Sequence, residues 1–428
     1  MPDIRYIKEN SNLVKENLKK RFQENKIPLI DKVITGDTEW RKLKGELDQL
    51  RHERNSLSDS INKAKKQKNE HLARSLIEKA KDLPGKIIQT EEKTKAHETE
   101  IREILNQIPN MLHKSVPIGK DESQNKPRKK HGTPKKFNFK IKNHVELIEQ
   151  LGIADFDSSA RTSGKGFYYL QGKLAILNQA LMRFAVDYML KKKYTLVETP
   201  LMLRKKVVDG VVSFEDFQDM IYKIDGEDLY LIGTAEHSLI GKYINQVIPE
   251  EKLPIKLVAV SSCFRKEIGS HGINEKGLWR THQFNKVEQI VICKPKESYK
   301  YFDELLKNSI DIYKKLNIPI RELEFCSGDI GDLKAKQIDI ETFRPTTNHY
   351  EEVGSCSNLT DAQSKLLNLK SVNKKGERFF PHTLNNTALA TSRAMVAILE
   401  NYQLKDGSIK VPTVLQKYTS FKKIEKEK

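Results

Sequence analysis

The chain has 428 residues, enough for two or three domains and a sizeable core, and its 76 Lys and Arg against 58 Asp and Glu give a formal charge of +18. That excess favours a polyanionic partner such as nucleic acid and leaves a merely solvated lysine-rich surface as the alternative. Four widely spaced cysteines, Cys263, Cys293, Cys326 and Cys356, form neither a disulfide framework nor a CxxC zinc pattern, and no apolar run approaches the ~18 residues of a membrane span, so a soluble, cytoplasmic chain with no membrane partner is expected.

In chain order, the first pattern is a heptad seam. Trp40, Leu43, Leu47, Leu50, Leu57, Ile61 and Ala64 fall at steps of three and four, with Arg54 in the one polar slot. After the polar "KKQKNEH" a second seam follows through Leu76, Ala80, Leu83, Ile87, Thr90, Thr94, His97, Ile101, Ile104 and Ile108. Two seams joined by a short turn predict an antiparallel helical hairpin over about 38–108, roughly 45 Å long. Pro84-Gly85 should kink its second helix. This N-terminal domain is expected to span 1–114.

The stretch 115–142, "SVPIGKDESQNKPRKKHGTPKKFNFKIK", reads as a basic linker that either adds non-specific RNA contacts or is simply solvated. From 143 to 428, apolar strands such as "YTLVETP", "LYLIGTA", "KLVAVSSCF" and "VEQIVIC" alternate with helices such as "KLAILNQALMRFAVDYMLKKK". The expected fold is α+β around an antiparallel sheet. No glycine-rich phosphate loop is present, so any nucleotide must be held by side chains.

The hairpin "CFRKEIGSHGINEKGLWRTHQFNKVEQIVIC", from Cys263 to Cys293, embeds charges in its strands. Alternation places Arg265 and Glu267 on one face of the first strand, and Phe284 and Glu288 on one face of the second. A guanidinium, carboxylates and a ring on one surface suit a phosphate, an amino group and a base. His271 and Arg280 of the intervening loop are expected to reach the same ligand.

"FRKE…RTHQF" resembles motif 2 of the class II aminoacyl-tRNA synthetases, "YTLVETP" their dimer-interface motif 1, and "NNTALATSRAMVAILENYQ" their motif 3. Within that class, "GTAEHSL", "HQFNKVE" and "EEVGSCSN" resemble the seryl-tRNA synthetase family, as do "DIRYIKENSNLVKENL" and the helical hairpin. The zinc-free archaeal and eukaryotic branch is the better match. The resemblance implies a class II antiparallel sheet flanked by helices, with an N-terminal coiled-coil arm that binds tRNA.

It also implies roles by residue. Arg265, Glu267 and Arg393 would be catalytic. ATP would be held by Arg265, Lys266, Glu267, Thr281, His282, Gln283, Phe284, Glu352, Val353, Gly354, Ser355 and Arg393, with Phe284 beneath the adenine and Mg²⁺ on Glu352 and Ser355. L-Serine would lie against Thr234, Ala235, Glu236, Glu288, Asn385 and Thr387, with Glu288 reading its hydroxyl. The implied partners are tRNA-Ser, through its long variable arm and acceptor stem, tRNA-Sec as a second candidate, and an identical subunit. No zinc is expected. Two rival readings stay open, a paralogue that has lost catalysis and a coiled-coil protein that associates with RNA.

Overall fold

The structure, a computed structural model, describes residues 1–213, 220–267 and 276–426. Two compact units divide it, one comprising Pro2–Pro109 and the other Asn110–Lys428 with Met1.

In the first unit, helices α1 (Ile4–Glu9) and α2 (Ser11–Lys20) pack beside the base of α3 (Ile27–Lys66). Ile7, Val14, Leu18, Ile30 and Val33 are fully buried there. The 40 residues of α3 rise about 60 Å, more than expected, because the helix begins at Ile27 rather than near residue 38. Its return limb is α4 (Glu70–Ala80) and α5 (Leu83–Gln107). Leu47, Ala64, Leu83, Ile87 and Ile104 are buried along the seam. Arg51–Glu91 at 3.0 Å and Lys32–Glu100 at 2.8 Å fix the antiparallel register. Thr90 and Thr94 also fall in the seam, and the Thr94 hydroxyl is satisfied by the Thr90 carbonyl at 2.7 Å. The expected kink at Pro84 is instead a break between two helices. Pro84 sits in the first turn of α5, where a missing amide costs nothing.

The second unit is built on an eight-stranded sheet. In chain order its strands are β1 (Lys126–His131), β2 (Thr195–Leu196), β3 (Ile255–Phe264), β4 (Gln283–Cys293), β5 (Ile320–Glu324), β6 (Lys336–Arg344), β7 (His349–Thr360) and β8 (His382–Ala390). Their spatial order is β1-β5-β6-β7-β8-β4-β3-β2, and every pairing is antiparallel except β2 with β3. The stretch expected as a linker therefore contributes an edge strand: Lys126 pairs with Glu324 and His131 with Ile320. The segment matched to motif 1 supplies the opposite edge.

Along β4 the pleat sorts side chains to two faces. Val287, Val291 and Cys293 enter the main core with helices α6 (His144–Leu151), α7 (Gly172–Lys191), α9 (Ser298–Lys315) and α10 (Thr391–Tyr402). Ile290 and Ile292 enter a second core on the other face, together with α8 (Ala235–Gly241). The same face, further back along β4, carries Phe284, Lys286 and Glu288 towards the site.

A charged knot ties α10 to β6. Buried Glu400 accepts from Arg344 Nη2 at 2.7 Å and from Thr346 Oγ1 at 2.8 Å, and His144 Nδ1 lies 3.3 Å away. Burial opposes the charge on Glu400, yet these partners hold its carboxyl at about 2. Removing one side of such a pair strands the other. Glu400→Ala is expected to cost about 3–5 kcal/mol, measurable as a lowered urea midpoint.

Candidate active site

Cross-strand register assembles the site. Ala259 faces Glu288, Ser261 faces Lys286 and Cys263 faces Phe284, so three functional side chains of β4 line up on one surface. Beyond β3, the Arg265 amide donates to the His282 carbonyl at 2.9 Å and its Nε to the Gly233 carbonyl at 3.3 Å. The guanidinium lies 5.4 Å from the centre of the Phe284 ring. Thr234 opens α8, its hydroxyl accepting from the Glu236 amide at 3.3 Å. On β8 the register slips between Thr387 and Leu389. Ser309 of α9 holds the Thr387 carbonyl at 2.8 Å, and the Thr387 hydroxyl donates to Glu288 at 3.4 Å. Gly354 of β7 packs against this point, where a Cβ would stand 3.3 Å from both the Cβ and the carbonyl oxygen of Thr387.

Two cavities meet there. The smaller, about 440 Å³, is lined by Arg265, Glu267, Thr281, Phe284, Val353, Gly354 and Arg393, with Trp279, Arg280 and Ser392. The larger, about 1130 Å³, takes in Thr234, Glu236, Ser355, Asn385 and Asp339, with Lys334 and Phe325 at its wall. Arg265, Lys286, Glu288's partner Thr387 and Glu352 belong to the region around their junction, and Arg265, Lys286, Glu352 and Thr387 line both.

Charge is arranged in pairs. Lys286 Nζ lies 2.7 Å from Glu288 Oε2, and both side chains are buried. Arg393 Nη1 lies 3.0 Å from Glu352 Oε2 and donates to the Glu352 carbonyl at 2.9 Å. Partial desolvation would raise the Glu352 carboxyl, which is about half exposed, but Arg393, with Arg265 and Lys334 behind it, holds it below its usual range. Asp339 faces the opposite outcome. Buried and close to Glu352, its carboxyl is pushed up to about 7, although Gln337 Nε2 donates to it at 2.9 Å. Glu236 is pushed up to about 7 by burial and by Glu288, against a 2.8 Å hydrogen bond from Gln363. Arg280 Nη1 lies 3.5 Å from Glu267 Oε2, and Glu267 takes a left-handed φ of 53°. The Trp279 ring is in reach of two guanidinium groups, 4.7 Å from Arg344 and 5.6 Å from Arg393.

Most residues singled out in the sequence converge on these cavities; some do not. The side chains of Lys266, His282, Gln283 and Ala235 line neither. His282 precedes β4 and is held by other partners, with Nδ1 2.9 Å from the Arg265 carbonyl and 3.1 Å from the Tyr222 hydroxyl. Gln283 is exposed, and Ala235 is packed in the first turn of α8. His271 lies outside the described residues. Sequence reasoning missed Lys286, Asp339, Trp279 and Lys334. Of these, Lys286 had a signal, since it stands two residues before Glu288 on the same face.

A sheet of this order, with two cavities at the junction of β4, β7 and β8, defines the catalytic core of a class II aminoacyl-tRNA synthetase. The profile of the tRNA synthetase class II core domain (G, H, P, S and T) matches residues 220–402, and that of the seryl-tRNA synthetase N-terminal domain matches 1–112. The serine–tRNA ligase of Methanospirillum hungatei is 45% identical over 424 residues, covering 99% of each chain. The crystal structure of seryl-tRNA synthetase from Pyrococcus horikoshii complexed with ATP superposes with a TM-score of 0.91 at 41% identity, covering 100% of both chains. The cytoplasmic serine-tRNA ligase of Naegleria fowleri in complex with AMP gives 0.86 at 33% identity, covering 100% of this chain and 99% of that one. The chain belongs to the seryl-tRNA synthetase family.

Proposed function

We infer that the smaller cavity binds ATP, the larger binds L-serine, and the shared wall of Arg265, Lys286, Glu352 and Thr387 is where seryl-adenylate forms. That shared wall is the observation carrying the reading, because the serine carboxylate must reach the α-phosphorus in line with the departing pyrophosphate. Attack forms the carboxyl–phosphorus bond and breaks the α,β-phosphoanhydride. In the second step a 3′-terminal hydroxyl of tRNA-Ser takes the seryl group and AMP leaves. Adenylate formation needs no protein base, because the nucleophile is already a carboxylate; the two anions must instead be brought together without repulsion.

In this reading Arg265 neutralises charge at the α-phosphate, and Arg393, in the first turn of α10, takes the γ-phosphate. Glu267 and the main chain at Lys266, Thr281, His282 and Gln283 frame the adenine over Phe284. Glu236 and Thr234 hold the serine ammonium, Glu288 accepts from the hydroxyl, and Asn385 and Thr387 close the pocket. Leaving Glu288 without a hydroxyl partner is costly, so alanine should be rejected.

Mg²⁺ fits beside ATP. Glu352 offers a carboxylate, and the buried Ser355 hydroxyl, although near enough to Asp339 to oppose the rise of its carboxyl, makes no hydrogen bond of ordinary geometry. Among the described residues no cluster of three His, Cys, Asp or Glu side chains could hold an ion. A hard cation held there would take its remaining oxygens from phosphates and water. When bound, it would neutralise the polyphosphate. No zinc is assigned to the site.

The unit Pro2–Pro109 is read as the tRNA-binding domain, holding the long variable arm of tRNA-Ser, with tRNA-Sec a second substrate to be tested in parallel. The domain limits read from the sequence, 1–114 and 143–428, are proposed with one change, that the basic stretch 115–142 goes with the catalytic unit to which it adds β1; a homodimer and a cytoplasmic location are part of the same proposal. Among the described residues no helix is long and apolar enough to cross a membrane. The test is ATP–pyrophosphate exchange without tRNA, comparing serine with alanine, threonine and glycine. Exchange with serine alone is expected; no exchange with any of them would sink the assignment.

The raised carboxyl of Glu236 has a pH consequence. It is charged above about pH 7, and only the charged form pairs with an ammonium. The serine KM should therefore fall from pH 6 to pH 8, approaching tenfold per unit on the acid side. Asp339 titrates in the same range, so Glu236→Gln is the discriminating variant. It should flatten the slope, and an unchanged slope would assign the effect elsewhere.

A further inference from the structure

The basic run "KPRKKHGTPKKFNFKIK", residues 126–142, holds eight Lys and Arg and no Asp or Glu, and the site above uses none of it. Its first part is β1, exposed from Lys126 to Lys130 on the edge of the sheet. Gly132, with φ +78°, turns the chain against Pro319, and the continuation walls a groove of about 1680 Å³. Lys130, Lys135, Lys136 and Arg321 line the groove, and no carboxylate does. Arg321 is already paired with Glu341, whereas Lys129, Lys130, Lys135 and Lys136 have no carboxylate partner among the described residues.

Aromatic rings alternate with these cations. Phe137 and Phe139 meet edge to face with centroids 5.3 Å apart, and Lys135 Nζ lies 4.7 Å from the Phe137 centroid. Across the groove the Tyr350 ring takes Arg321 at 4.9 Å and Lys130 at 5.6 Å. Charges on an edge strand ordinarily guard it against pairing with another sheet, and outward lysines on β1 do that. Guarding explains neither the lysines beyond the strand nor the rings between them. Unpaired cations interleaved with half-buried aromatics are instead the surface on which a nucleic-acid strand lies, phosphates on the lysines and bases or sugars on the rings.

We propose that this groove is an RNA-binding surface of the catalytic unit, with Lys130, Lys135 and Lys136 neutralising backbone phosphates and Phe137 and Phe139 packing against the nucleosides. It goes beyond the proposed function and relies on it only for the choice of tRNA-Ser as probe. Half-burial of both rings leaves little apolar surface to insert into a bilayer, which favours RNA over a lipid surface.

The test uses the full chain with the triple variant Lys130→Gln, Lys135→Gln, Lys136→Gln, and Phe137→Ala separately. The probes are a tRNA-Ser transcript, a poly(U) oligomer and anionic phosphatidylserine vesicles. The triple variant should bind tRNA about tenfold more weakly at physiological salt, and the slope of log K against log salt should shrink by about 2 to 3. Phe137→Ala should weaken RNA binding about fivefold or more with little change in slope. Serine-dependent exchange, which needs no tRNA, should stay within twofold of wild type for both. Unchanged tRNA affinity and slope in the triple variant would overturn the proposal, leaving the lysines as edge guards. Loss of vesicle binding with RNA binding intact would overturn it in favour of a membrane. Failure of wild type to exchange would count against the proposed function and leave the RNA measurement readable by itself.

Discussion

Replacing Arg393 by alanine is expected to lower serine-dependent ATP–pyrophosphate exchange by about 10³-fold. Two losses combine. The guanidinium that would meet the γ-phosphate is gone, and Glu352 loses the ion pair and hydrogen bond that keep its carboxyl low. Glu352 then lies near Asp339, already raised, with one cation fewer between them and the incoming triphosphate. Arg393→Lys should recover little, because one ammonium cannot serve Glu352 and a phosphate with the planar fork that arginine offers. Single-turnover adenylate formation checks this. A loss below tenfold would remove Arg393 from the polyphosphate site.

The second large effect is expected at the buried pair. Glu288→Ala should raise the serine KM more than 100-fold while moving the ATP KM less than about threefold, since it deletes the hydroxyl acceptor and strands the Lys286 ammonium. Lys286→Met should be comparably severe, leaving a buried carboxylate with, among the described residues, the Thr387 hydroxyl as its remaining partner. The pair acts as a unit, so adding Lys286→Met to Glu288→Gln should cost little beyond the worse single variant. Fully additive losses would show that Lys286 acts independently, for instance directly on the α-phosphate. Equal damage to serine and ATP binding would remove Glu288 from the serine pocket.

Much of this could be read from the residues because the relevant signals are local. The heptad seams are periodic, and charges placed inside otherwise apolar strands mark a surface that faces a ligand. What escaped depended on burial or on partners that only the fold brings together. Lys286 sits in a chain so rich in lysine that its one signal, the two-residue spacing from Glu288, carries little contrast until burial against Glu288 distinguishes it. Asp339 is remarkable only once β6 pairs with β7, bringing it opposite Ser355 and near Glu352. β1 was illegible as a strand because an exposed edge shows no alternation of apolar and polar residues, and Pro127 argues against one. The early start of α3 was hidden for a different reason. Between Ile27 and Trp40 the helix packs against α1 and α2 as well as the return limb, so its buried residues do not follow a single heptad seam there.

The indole beside Arg344 and Arg393 has a use beyond the chemistry. The chain contains two tryptophans, Trp40 in the helical unit and Trp279 in the catalytic unit, so each unit carries one indole that can be excited apart from the tyrosines. Any ligand that draws Arg393 away from the ring changes the polarity around Trp279 and hence its emission. In a Trp40→Phe background, occupancy of the polyphosphate site becomes an optical signal readable in a stopped-flow instrument, with no label attached.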